Sequence, residues 1–129
     1  MKFVTVLPYT DENISLIQEF IDRTKIRIQN GVEITFTRKA SRELEELVLE
    51  FNIEVANIKN EISALKVENY YRGIEPSGSA DFDVCAFCVK VGENDIEIYL
   101  KFGLEVNGEQ ILLFSNHVPK YSMNQPFNK

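Results

Sequence analysis

Eleven residues near the middle of the second half constrain this chain most. From Ile96 to Val106 apolar and other residues alternate almost without a break. Ile96, Ile98, Leu100, Phe102, Leu104 and Val106 fall on one side, and Glu97, Tyr99, Lys101 and Gly103 on the other. A strand points successive side chains to opposite faces, so this segment reads as a strand with one buried and one outward face. Asn107-Gly108 follows at once. Asn-Gly suits the left-handed backbone of a two-residue hairpin turn, and Glu109–Asn116 then reads as the returning strand.

The strand before it is Phe82–Val91, joined by the tight connection Gly92-Glu93-Asn94-Asp95. Upstream the pattern changes from alternation to helical stripes. Asp11-Glu12-Asn13 places acids at a helix start, where the dipole favours them. Ile14, Ile17, Phe20, Ile21 and Ile28 form its stripe, and Asn30-Gly31 ends it. Val32–Phe36 reads as a short strand, as does Lys2–Leu7 at the N-terminus. A second helix starts either at Ser41 or already within Thr37–Ala40, carries Leu44, Leu47, Val48 and Phe51, and stops at Asn52. A third runs from Glu54 to Leu65 with Val55, Ile58, Ile62 and Leu65 inward. Residues Glu75–Asp81 are turn-rich and read as a loop, and the tail from Pro119 reads as extended. Helices first and an antiparallel meander after define an α+β fold, with N-terminal helices packed on a C-terminal sheet. At 129 residues, 44% of them hydrophobic, one domain with its own core is expected.

Charge limits the function. The net charge is −6, and the two halves carry equal acidic excess. Nucleic-acid affinity comes largely from neutralising phosphates, so this balance disfavours tight non-specific binding and leaves room only for a local basic site. The short apolar N-terminus meets Pro8 and is unlike a secretory leader, and no run approaches the ~20 apolar residues of a membrane span. A soluble cytoplasmic protein with no membrane partner is expected. Cys85 and Cys88 have C-x-x-C spacing but lie inside a strand, pointing to opposite faces. With a single His in the chain, no zinc site is expected; the thiols read as buried and reduced.

Three segments together resemble the MqsR family of toxin ribonucleases. Leu65-x-x-x-Asn69-Tyr70-Tyr71-Arg72-Gly73 is similar to the family's leucine, acidic, paired-aromatic and basic motif at a helix exit. Ile98-Tyr99-Leu100-Lys101 is similar to its Val-Tyr-Leu-Lys strand. Leu112–His117, followed by Gln125-Pro126-Phe127, looks like its final strand and ending. The resemblance implies a RelE-like core over residues 37–129, with residues 1–36 a strand-helix-strand extension. It implies the toxin of a type II toxin-antitoxin system, an endoribonuclease that cleaves messenger RNA with no metal or other cofactor and is held by a cognate antitoxin protein. Carried over by position, it implies catalytic roles for Arg72, Tyr99, Lys101 and His117, with Tyr71 and Asn116 as substrate-binding neighbours.

The chemistry would be attack of an RNA 2′-hydroxyl on the adjacent phosphate. Arg72 and Lys101 would stabilise the phosphoryl charge, and His, the residue type that titrates near neutrality, would move a proton. Strand parity adds a condition. A two-residue Asn-Gly turn sets Asn116, not His117, opposite Tyr99, and His117 then faces the core unless a bulge or the strand end redirects it. The alternative function is a non-catalytic protein-interaction module on a toxin-like fold.

Overall fold

Two threonines start the first two helices. Thr10 Oγ1 accepts the Asn13 amide at 3.1 Å and caps α1, Asp11–Gln29. Thr37 Oγ1 accepts the Ala40 amide at 3.1 Å and caps α2, Arg38–Phe51, so the earlier of the two starts is used. Gly31 (φ +89°) turns the chain out of α1, and Asn52 (φ +55°) takes the left-handed position after α2. α3 is Val55–Ser63, followed by a 3-10 turn at Val67–Asn69.

The computed structural model describes residues 6–76 and 81–128. Its strands are β1 (Ile34–Phe36), β2 (Tyr70–Pro76), β3 (Phe82–Val91), β4 (Ile96–Glu105) and β5 (Ile111–His117). They form one sheet in the order β1-β5-β4-β3-β2. β1 runs parallel to β5, and every other pair is antiparallel. The chain is therefore an α+β fold, with helices preceding a mostly antiparallel sheet.

β4 buries Ile98, Leu100, Phe102 and Leu104 as its alternation requires, while Val106 lies beyond the strand and is exposed. Phe20 of α1 lies 5.4 Å from Phe102 and 6.2 Å from Phe87. Ile58 and Ile62 of α3 join the same cluster. Arg27, near the end of α1, donates to Glu105 O at 2.8 Å and Gln110 O at 2.9 Å, which ties the helix to the β4–β5 turn. α1 and α3 thus cover one sheet face. The tail returns to this core, where Phe127 packs 4.8 Å from Tyr70.

Two expectations change. Glu75 and Pro76 belong to β2, not a loop. Tyr71 and Ile74 are extra residues against β3, so β2 shows no alternation to read in the sequence. Val48 and Phe51 are partly exposed, because α2 packs along the edge of β5, beyond β1, and buries only a narrow strip around Ala40 and Leu47; Val55, in the first turn of α3, is partly exposed too, and α3 buries Ile58 and Ile62 instead. The expected strand Lys2–Leu7 lies mostly outside the described residues; Val6 and Leu7 are irregular, and the Leu7 amide donates to Tyr70 Oη at 3.1 Å. The loop expected over residues 77–80 also lies outside the described residues. Among the described residues no helix is long and apolar enough to cross a membrane.

Candidate active site

The sheet face away from the helices is built by the odd positions of β4. Across the strands, Arg72 pairs with Ala86, Ala86 with Lys101, and Lys101 with Ser115. In the neighbouring row Cys88 pairs with Tyr99, and Tyr99 with His117. Ala86 and Cys88 are small and buried, and they stand in register with the longer Arg72, Lys101 and Tyr99 of the neighbouring strands.

His117 reaches this face through a bulge. Near the turn β4 and β5 keep the register of a two-residue hairpin, with the Glu105 amide donating to Gln110 O at 3.0 Å and Leu104 opposite Ile111. Phe102 pairs with Leu113 but Lys101 pairs with Ser115, so Phe114 is the extra residue. Phe114 turns outward and packs edge-on to Phe82, 6.2 Å between centroids. Every later residue of β5 changes face relative to the unbulged register. His117 then stacks on Tyr99, centroids 5.0 Å apart at 27°.

The same shift removes Asn116 from the site. It is fully buried on the core side; its Nδ2 donates to Ala40 O at 2.9 Å and its amide to Glu43 Oε1 at 3.1 Å. The expected substrate-binding role of Asn116 gives way to a tie between α2 and β5.

The remaining five expected residues share the open face. The Arg72 guanidinium lies 4.2 Å over the Tyr71 ring and bonds Tyr71 Oη, while Arg72 Nε is buried with no partner among the described residues. Tyr71 meets Tyr99 edge-on at 6.0 Å. Burial pushes the Tyr99 phenol above its ordinary value, partly opposed by Arg72, so it remains a proton donor. Among the described residues no ion pair engages Lys101. His117 Nδ1 lies 3.0 Å from Val118 O. A carbonyl oxygen only accepts, so this contact places the proton on Nδ1 and leaves Nε2 as a lone-pair acceptor in the neutral ring.

Lys39, Glu43 and Ser115 are additions that the sequence did not single out. Lys39 Nζ donates to Ser115 Oγ at 2.7 Å and pairs with Glu43 Oε2 at 3.1 Å. Glu43 Oε2 also lies 3.9 Å from His117 Nε2. In the sequence Lys39 and Glu43 show only as an i,i+4 helix pair. Their place beside His117 depends on how α2 docks against β5. In comparisons with known proteins, no family model, no curated protein and no solved structure matches this chain.

Proposed function

We propose that the outward sheet face cleaves RNA without a metal, as the toxin of a cytoplasmic toxin-antitoxin pair held by a cognate antitoxin protein. The observation that carries this reading is the bulge at Phe114, which sets His117 on Tyr99 beside Arg72 and Lys101. A phosphate on this face meets a planar guanidinium and a compact ammonium, both suited to the charge that develops during transfer. His117 Nε2 takes the proton of the 2′-hydroxyl as its oxygen bonds to phosphorus. Tyr99 gives its proton to the departing 5′-oxygen, and water restores both groups. The products are a 2′,3′-cyclic phosphate and a free 5′-hydroxyl, which requires no cofactor. Glu43 faces Nε2 and stabilises the imidazolium that forms.

The test is induction in a bacterial host of the wild type beside an Arg72→Ala, Tyr99→Phe, Lys101→Ala triple mutant whose fold has been checked. Growth arrest by the wild type alone, with cyclic-phosphate ends on cellular RNA, is the expected result. Arrest by both proteins without RNA cleavage would favour the binding-module reading, which the net charge of −6 supports. No effect from either would overturn the toxin reading.

A further inference from the structure

The pairings that assemble the open face also order its cations. Arg72 on β2, Lys101 on β4 and Ser115 on β5 lie in one line across the strands, with Ala86 between the first two. Lys39 closes the line from α2 through its 2.7 Å bond to Ser115 Oγ. Strands lie about 4.8 Å apart, so the line runs roughly 14 Å from Arg72 to Ser115. Beside it runs a line of rings, Tyr71, Tyr99 and His117, with centroids 6.0 Å and 5.0 Å apart. Parallel lines of cations and rings match a single nucleic-acid strand, whose phosphates follow one line while unstacked bases lie on the other. A duplex keeps its bases stacked inside and offers the rings no partner.

We propose that one RNA strand crosses this face at right angles to the β-strands, with successive phosphates on Arg72, Lys101 and Lys39. The proposal rests on the RNA-cleaving reading above and adds to it a path across the strands and a third phosphate contact at Lys39. Lys39 is available for that contact although it already has two partners. An ammonium has three donors, and Ser115 and Glu43 use two of them. The Ser115 hydroxyl accepts from Lys39 and keeps its own proton to give. Glu43 is the competing anion, yet it stays in place when phosphate arrives because its other oxygen holds the Asn116 amide.

The experiment measures fluorescence anisotropy of a labelled single-stranded 2′-O-methyl RNA of about eight nucleotides, which lacks the nucleophile, over a salt series. Three phosphate contacts on a single strand predict a log–log salt slope of about −2, since each contributes about −0.7. Lys39→Ala should weaken binding and make the slope shallower by about 0.7, and Lys39→Arg should restore both. The matching duplex should bind more weakly than the single strand. A folded Lys39→Ala protein with the wild-type slope, a duplex that binds as tightly, or no binding by the wild type would overturn the proposal. Cleavage of the unmodified RNA, assayed in parallel, tests the other reading separately. Binding with the full slope but no cleavage removes the ribonuclease and leaves the track. Cleavage with an unchanged Lys39→Ala slope removes the track alone.

Discussion

His117 stacks on Tyr99, centroids 5.0 Å apart, because β5 carries one residue more than β4 between their two neighbouring pairs, Phe102–Leu113 and Lys101–Ser115. In the proposed mechanism this ring exchanges protons, and it is only partly buried, so its removal should cost activity much more than stability. His117→Ala is expected to slow cleavage of a labelled oligoribonucleotide by about 10²–10⁴-fold, the range of positioned acid–base groups. Its melting curve should stay near that of the wild type. Adding Arg72→Ala should abolish cleavage; turnover in the folded double mutant would rule out the mechanism.

Tyr99 predicts an alkaline stability effect. Burial raises its phenol, so the folded chain holds this proton more tightly than the unfolded chain does. The resulting stabilisation is full below the ordinary phenol value of about 10 and is lost as pH rises through the higher folded value. Between about pH 8 and about pH 11 the urea midpoint should therefore fall more for the wild type than for Tyr99→Phe. Equal falls would mean that this phenol is not held out of water.

Gly73 sets the backbone that carries Arg72. Its φ is +108°, and a Cβ there would meet Val84 O at 2.7 Å and Cys85 Cα at 2.9 Å. Both are main-chain atoms of β3 and cannot swing aside. Gly73→Ala should cost roughly 2–4 kcal/mol by denaturant unfolding, combining strain with a displaced edge strand. A loss below about 0.5 kcal/mol, the ordinary range for surface changes, would contradict the close approach.

Neither cysteine should react in the folded protein. Burial pushes the Cys85 thiol well up, and Cys88 is raised to about 11, first by burial and then by Glu97. Thiolate is the reactive form, so mass spectrometry after iodoacetamide treatment near pH 8 should show no adduct until denaturant is added. Cys85 faces the core and Cys88 the open side, so no bond should form between them under oxidation. Rapid labelling of the native protein would show the face around Cys88 to be open to reagents.

Much of this was written in local chemistry. Thr10, Asn30-Gly31 and Asn52 bound the helices through caps and left-handed turns, which need only neighbouring residues. The β4 period of two, with its hairpin signal, separated the core set Ile98, Leu100, Phe102 and Leu104 from the outward Tyr99 and Lys101. The resemblance marked Arg72 and His117 but could not place them in space. β2 was illegible because its two extra residues erase the alternation, and it is a strand only by pairing with β3. The exchange of faces between Asn116 and His117 was tertiary too: hairpin parity points His117 inward, and only packing of Phe114 against Phe82, with α2 holding Asn116, sets the bulge. Lys39 and Glu43 joined the site for the same reason. A helix cap depends on the residues beside it, whereas a bulge and a docked helix depend on surfaces far away in the chain.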